Sequence, residues 1–257
     1  MMIMNGAGVV VTGGGGGIGR AIARRLAAEG ARVVVNDLDP VAAAAVADEV
    51  GGLAVPGDVG TERGIEQLVG AARGFLGEID LYCSNAGTGV GAGPQTPDDL
   101  WQQAWEVNTM SHVRAARLLL PGWLERGQGT LVVTASAAGL LTMLGSAPYS
   151  VTKHAAVGYA EWLAATYAHQ GLTVHCLCPQ GVRTQMLANS GRPGEILLAG
   201  SAIEPEQVAD ALWEALQAGT FLVLPHSEVR DYYVARATET DKWLRAMNRL
   251  QQKVEES

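Results

Sequence analysis

The chain has 257 residues, 18 of them basic and 26 acidic, for a formal net charge of −8. No Lys/Arg cluster forms a basic face, so the balance argues against nucleic acid and an anionic membrane as partners. The length suits one large α/β domain or two small ones.

Residues 1–8 lack a basic n-region and a long apolar core, and no apolar run reaches spanning length. Neither a signal peptide nor a transmembrane helix is therefore expected, and the expected location is cytoplasmic. Cys83, Cys176 and Cys178 cannot all pair within one chain, and Cys176-Leu177-Cys178 in an apolar run places both flanking thiols on one strand face. Buried free thiols are the expectation. His112, His154, His169, His175 and His226 show no ligand spacing, so no metal site is expected.

In chain order, β-rich runs at 8–11, 32–36, 53–55, 79–84, 130–135, 173–178 and 221–224 alternate with Ala/Leu-rich stretches of helical period. Helices are predicted at 17–30, 40–50, 61–76, 97–126, 149–170 and 205–218. Thr96-Pro97-Asp98-Asp99 offers an N-cap hydroxyl, a proline at the first helical position and acids in the first turn, and Glu204-Pro205-Glu206 repeats the proline placement. The alternation, without a linker or a repeat, predicts an α/β fold in a single domain over 1–257, a doubly wound parallel sheet of seven strands with helices on both faces. The segment at about 185–204, with Gly191, Pro193, Gly194 and Gly200, has no firm element and reads as a loop over a site. In the tail at about 226–257, Trp243, Met247, Leu250 and Val254 recur at the spacing of an amphipathic helix.

Two helices are apolar nearly all round. Ala155, Ala156, Val157, Ala160 and Leu163 cover more than one face of the helix after Tyr149, and Trp105, Val107, Met110, Val113 and Leu118 do the same in the longest one. The sheet covers one face, so a homo-oligomer, dimer or tetramer, is expected to cover the other.

Val9-Val10-Val11 runs into five consecutive glycines, Gly13 to Gly17, then Ile18-Gly19 and a helical pattern. Strand, glycine loop and helix in that order let backbone approach a pyrophosphate at a helix N-terminus. Two registers fit: G-x-G-x-x-G at Gly14, Gly16 and Gly19, and T-G-x-x-x-G-x-G from Thr12 to Gly19. Asp37, at the end of the second strand, is placed to accept bonds from the adenosine ribose and repel a 2′-phosphate, which favours NAD over NADP. Arg20 and Arg32 are cations near enough in sequence to soften that preference. Further on, Tyr149 and Lys153 stand four residues apart on one helix face, where a cation favours the phenolate.

With these motifs in place the chain resembles the short-chain dehydrogenase/reductase family over nearly its whole length. Thr12-Gly13-x3-Gly17-Ile18-Gly19 looks like that family's cofactor loop, Asp58-Val59 like its adenine contact, and Asn85-Ala86-Gly87 like the N-A-G after its fourth strand. Asn108 matches its helix asparagine, and Ser136, thirteen residues before Tyr149, its catalytic serine. The resemblance implies a Rossmann domain and a division of labour. Tyr149 would exchange a proton with the alcohol or carbonyl oxygen while hydride passes to or from the nicotinamide. Lys153 would lower the Tyr149 pKa and hold the nicotinamide ribose, Ser136 would bind the reacting oxygen, and Asn108 would anchor a relay water. Cofactor contacts are implied at Gly13, Gly16, Gly17, Ile18, Asp37, Leu38, Asp58 and Val59. They are implied also at Asn85, Ala86, Gly87, Pro179, Val182 and Thr184, besides Tyr149 and Lys153.

One departure stands out, since Gln180 in Pro179-Gln180-Gly181-Val182-Arg183-Thr184 replaces the first glycine of the family's P-G-x-V-x-T. A negative φ is expected at Gln180, with its amide offered to the substrate side of the cleft. Ala138, Leu144, Gln180 and Met186 are the candidate substrate contacts, and the mostly apolar walls suit a lipophilic secondary alcohol or ketone. Arg183 and Arg192 are positioned to bind a carboxylate instead. The leading expectation is an NAD-dependent oxidoreductase of that type. Alternatives are an NADP-dependent carbonyl reductase, an enoyl reduction or epimerisation on the same cofactor, and a nucleotide-binding regulator without turnover.

Overall fold

The computed structural model describes residues 3–256. Met1, Met2 and Ser257, which end the segments read above as free of a leader and as an amphipathic tail, lie outside them.

Seven strands form one parallel sheet in the order β3-β2-β1-β4-β5-β6-β7. They are β1 (Gly8–Thr12), β2 (Arg32–Asn36), β3 (Leu53–Ala54), β4 (Leu81–Ser84), β5 (Gly129–Thr134), β6 (Leu172–Leu177) and β7 (Leu222–Val223). Each lies within a residue or two of its sequence expectation, because a strand buried on both faces reads as an unbroken apolar run. Alternation along the strands divides the core into two layers. Val10, Val34, Tyr82, Leu131 and Cys176 face one side, and Val9, Val33, Leu81, Val132 and Leu177 the other. On the first side pack α3 (Glu62–Leu76), α5 (Ser111–Glu125) and α7 (Ala147–Tyr167), and on the second α1 (Gly17–Ala28), α2 (Pro40–Val50) and α10 (Pro205–Ala218). The three thiols are buried and free, and the Cys176 and Cys178 sulfurs lie 3.7 Å apart on one strand face.

The strand order reverses at β1, whose neighbours are β2 and β4. Crossovers leave in opposite directions there, opening a crevice at the carboxyl ends of the strands, the usual ligand position in such sheets.

Three helical expectations change. The helix predicted over 97–126 is α4 (Asp98–Trp105), a π-helical turn (Glu106–Met110) and α5. Side-chain hydrogen bonds explain the interruption: Ser111 Oγ donates to the Val107 carbonyl at 2.6 Å, and Thr109 Oγ1 donates to the Thr152 carbonyl on α7 at 3.1 Å. The helix predicted from Tyr149 begins two residues earlier, at Ala147, capped by Ser146 with Pro148 in its first turn. The segment read as a loop folds into α8 (Gln185–Ala188), α9 (Gly191–Leu198) and a short 3₁₀ turn, whereas the tail forms α11 (Glu228–Thr238) and then the expected helix, α12 (Thr240–Glu256). The remaining helix, α6 (Ala137–Leu140), is a single turn after β5.

The apolar helices leave Trp105, Val151 and Trp162 exposed, with Trp162 ring-stacked on Tyr159. Among the described residues no helix is long and apolar enough to cross a membrane.

Between β4 and α5, His112 is wholly buried, its Nδ1 2.6 Å from the Ser84 hydroxyl. Burial, reinforced by the Lys153 ammonium, drives its pKa from 6.5 to about 3. Between those values the unfolded chain binds a proton that the folded chain does not. Its contribution to stability is thus full above pH 6.5 and is lost as pH falls toward 3, at roughly 1.4 kcal/mol per pH unit. Urea unfolding between pH 6.5 and 4.5 should therefore show a slope that His112→Leu reduces by about one proton's worth.

Candidate active site

The ends of β1 and β4 are knitted together by one side chain. Thr12 Oγ1 accepts from the backbone N–H groups of Asn85 (2.9 Å) and Ala86 (3.0 Å) and donates to the Cys83 carbonyl, while Asn85 Nδ2 donates to the Thr12 carbonyl at 3.0 Å. The N-A-G segment thereby lies directly against the glycine loop.

That loop decides between the two registers. Gly13 and Gly17 have φ of +61° and +48°, and a Cβ on Gly19 would sit 2.0 Å from the Gly13 carbonyl oxygen. The T-G-x-x-x-G-x-G spacing from Thr12 therefore carries the backbone requirements. A Cβ on Gly14 or Gly15 would press on Val35 or Ala42, whereas one on Gly16 meets nothing within 4 Å. Gly16 thus borders open space at the N-terminus of α1, where N–H groups and the helix dipole favour an anion. These features fit a dinucleotide pyrophosphate.

Asp37 sits just past β2, with Oδ2 accepting from Gly15 N–H at 2.9 Å and Oδ1 from Asp39 N–H at 3.1 Å. The carboxylate is locked to the glycine loop, and Leu38 beside it is exposed. Neither cation expected to soften its field faces it. Arg20 pairs with Glu49 at 2.5 Å, and Arg32, at the opposite end of β2, donates to the carbonyls of Phe75 and Leu76 that end α3. Asp58 turns its Oδ1 to the Gly60 N–H at 2.8 Å, and Val59 is buried.

Ser136, Tyr149 and Lys153 converge at the carboxyl edge of β5. Ser136 caps α6, accepting from Ala138 N–H at 3.1 Å, and stands near enough to Tyr149 to favour its phenolate. Capping and an influence on the phenol thus coexist in one residue. Lys153 Nζ lies 5.7 Å from the Tyr149 ring centroid and donates to the Thr134 carbonyl at 2.9 Å. Burial lowers its pKa from 10.5 to about 8. Burial also raises the Tyr149 pKa, opposed by Ser136. Desolvation of the phenolate thus dominates the Tyr149 phenol in the chain by itself.

Asn108, fully buried in the π-helical turn, accepts from Thr88 N–H (2.8 Å) and donates to the Thr88 carbonyl (2.9 Å) and Thr152 Oγ1 (3.1 Å). Its side-chain amide laces the loop after β4 to α7. Gly87 passes beside it, where a Cβ would stand 3.3 Å from both Asn108 Oδ1 and Lys153 Nζ.

Pro179 accepts from Ala137 N–H at 2.8 Å, Val182 is buried, and Thr184 caps α8 with its methyl against Gly17. Gln180 has a negative φ, since among the described residues only glycines are positive. Its amide, expected to face substrate, instead donates to Ser201 Oγ at 3.0 Å, tying the end of the 185–204 segment to the turn. Of the other candidate substrate residues, Ala138 is buried, Leu144 is partly buried, and Met186 is exposed and near Gly89. An open cleft of about 790 Å³ lies beside Gly17 and Thr184, with Arg20, Arg24, Arg183 and Arg192 on its walls. It adjoins the glycine loop rather than Tyr149. Arg183 pairs with Glu204 at 3.0 Å. Among the described residues no cluster of His, Cys, Asp and Glu is placed to hold a metal.

The profile of the short chain dehydrogenase family matches residues 7–194. The chain belongs to that family. It is 36% identical over 234 residues to 1-deoxy-11-beta-hydroxypentalenate dehydrogenase of Streptomyces exfoliatus, covering 86% of this chain and 83% of the relative. Meso-2,3-butanediol dehydrogenase of Serratia marcescens is 35% identical over 214 residues, covering 78% and 83%. A short chain dehydrogenase/reductase from Burkholderia phymatum, solved in complex with NAD, superposes with a TM-score of 0.87 at 26% identity, covering 94% of this chain and 96% of that one. The family is one of oxidoreductases that use a nicotinamide cofactor.

Residues that the sequence reading missed are those whose role is to hold others. Thr134 and Thr152 receive bonds from Lys153 and Asn108, and His226, read only as the start of the tail, is buried against the turn at 179–182. Their partners lie 19 to 46 residues away, so no local pattern marks them. For the loop itself, Gly19→Ala should destabilise the ligand-free protein by about 1–3 kcal/mol, because its Cβ meets backbone. Gly16→Ala should leave ligand-free stability within about 0.5 kcal/mol in the same urea titrations.

Proposed function

We propose that the chain is an NAD-dependent oxidoreductase that interconverts a lipophilic secondary alcohol and a ketone, with Tyr149 as general acid and base. The carrying observation is the convergence of Ser136 and Lys153 on Tyr149, with Lys153 Nζ 5.7 Å from its ring centroid and Ser136 near enough to favour its phenolate. One donor and one acid thereby address a single oxygen. The bound dinucleotide would accept or supply the hydride.

Gly13, Gly16, Gly17 and Ile18 would hold its pyrophosphate at the α1 N-terminus, Asp37 its adenosine ribose, and Asp58 and Val59 its adenine. Lys153 would hold the nicotinamide ribose, and Val182 and Thr184 would meet the carboxamide. In the reducing direction Tyr149 gives its proton to the carbonyl oxygen while Ser136 donates to that oxygen. In the oxidising direction the phenolate takes the hydroxyl proton. Asn108 keeps Lys153 and the loop at Thr88 in place through Thr152, so a relay water would be held by groups other than its amide.

Asp37 supports NAD over NADP, since both arginines that would answer a 2′-phosphate are committed elsewhere. The walls at Ala138, Leu144 and Met186 favour an apolar substrate, and the relatives are named for a hydroxypentalenate and a butanediol. We place the enzyme in the cytoplasm as a single-domain homo-oligomer, with Trp105, Val151 and Trp162 turned toward a second copy.

Turnover followed at the nicotinamide absorbance, with either dinucleotide against a panel of hydroxysteroids, diols and aryl alcohols, tests the reading. Tyr149→Phe should bind cofactor normally and lose about 10²–10⁴ in kcat. Near-normal turnover would remove Tyr149 from the chemistry, and silence across the panel with tight NAD binding would favour a regulator.

Because burial raises the Tyr149 pKa, the phenol stays protonated through neutral pH. Ketone reduction should therefore hold level through neutral pH and fall in the alkaline range, whereas alcohol oxidation should rise with pH as the phenolate forms; profiles of kcat/KM in both directions check this. Asp37→Asn keeps an oxygen for the Gly15 N–H but removes the charge. It should cut the ratio of kcat/KM for NAD over NADP by on the order of tenfold.

A further inference from the structure

The turn that departs from the family pattern is held by a histidine from outside it. His226, three residues past β7, is 3% exposed, and its two ring nitrogens meet backbone groups of two consecutive residues. Nδ1 accepts from Gln180 N–H at 3.2 Å, and Nε2 lies 3.0 Å from the Gly181 carbonyl oxygen. A backbone N–H can only donate and a carbonyl can only accept. The ring must therefore be the neutral tautomer with its proton on Nε2.

The Gly181 carbonyl is also where the segment over the site returns. It accepts from Ile203 N–H at 3.1 Å, and Arg183 N–H donates to the Ile203 carbonyl at 2.9 Å. Gln180 Nε2 adds its bond to Ser201 on the same segment. On the other side of the turn, Ser136 Oγ approaches the Pro179 carbonyl at 3.4 Å. One imidazole thus pins two residues that stand between Ser136 and Val182, at the point where the 185–204 segment ends.

We propose that His226 is a positioning residue that fixes the turn at 179–182, and through it the nicotinamide-side wall of the site and the exit of the 185–204 segment. The proposal rests on the reading of Val182 and Thr184 as nicotinamide contacts. Where the family pattern has a glycine, this chain has a side chain that binds the segment and a backbone held from beneath by imidazole. Both bonds reach the turn across 45 to 46 residues, so removing them loosens the wall without touching the glycine loop or Asp37.

The experiment compares NAD with ADP-ribose, which lacks the nicotinamide, by calorimetry on the wild type, His226→Phe and His226→Asn. Phe keeps bulk and loses both bonds, while Asn keeps an acceptor for Gln180 N–H. His226→Phe should weaken NAD on the order of tenfold, as loss of one or two hydrogen bonds implies, and leave ADP-ribose within about twofold, with Asn between. Equal weakening of both ligands, or of neither, in a folded variant would overturn the assignment. If the wild type binds NAD and ADP-ribose equally, the nicotinamide reading fails, and amide exchange then judges the clasp by itself. Gln180 N–H should exchange at least about tenfold faster in the Phe variant; an unchanged rate refutes the clasp. ¹⁵N shifts of the wild-type ring give a reading that needs no variant, with a bare Nδ1 supporting the proposal and a protonated Nδ1 defeating it. Should His226→Phe not fold, the Asn variant and the ring shifts decide.

Discussion

The Thr12 hydroxyl, accepting two backbone N–H groups from the end of β4, is the contact on which the site depends. Parallel strands place all their carboxyl ends on one edge but do not bring adjacent loops into register. Thr12 does so at the switch point, setting the glycine loop against Asn85-Ala86-Gly87. Gly87 then runs beside Asn108 and Lys153, where a Cβ would already be at 3.3 Å from each. The glycine loop and the residues proposed to handle the proton are in this way parts of one packed object, and a shift of an ångström in either would reach the other.

Electrostatics at that edge are governed by desolvation more than by pairwise charge. Burial raises the phenol of Tyr149, lowers Lys153 to about 8 and lowers His112 to about 3. A cation close to a phenol in water would favour phenolate, but here the same enclosure weakens the cation's own charge. Burial thereby keeps the Tyr149 phenol protonated, with Ser136 the neighbour pulling the other way.

Much of this was legible in the chain. Strand positions were readable because double burial imposes continuous apolar runs, the glycine loop, Asp37, Tyr149 and Lys153 because of where they fall on their elements, and Ser136 through the family resemblance. The π-helical turn around Asn108 was not, since it arises from hydrogen bonds by Thr109 and Ser111 that a helical pattern tolerates equally well. Nor was the destination of Gln180, whose amide bonds Ser201 rather than facing the cleft. Arg20 and Arg32 looked equivalent in their nearness to Asp37. Only pairing with Glu49 and with the end of α3 showed that neither faces it.

By itself, then, the sequence determined the alternation of strands and helices and, through the resemblance its motifs carry, the family and the residues that meet at the sheet's carboxyl edge. The first follows from periodicity along one chain, the second from motifs that match a known family in order. The tertiary structure alone decided which glycines must lack a Cβ, how burial sets the protons on Tyr149 and Lys153, and that His226 holds the turn at 179–182. Those properties depend on distances between residues remote in sequence and on the exclusion of water, and no local pattern encodes either.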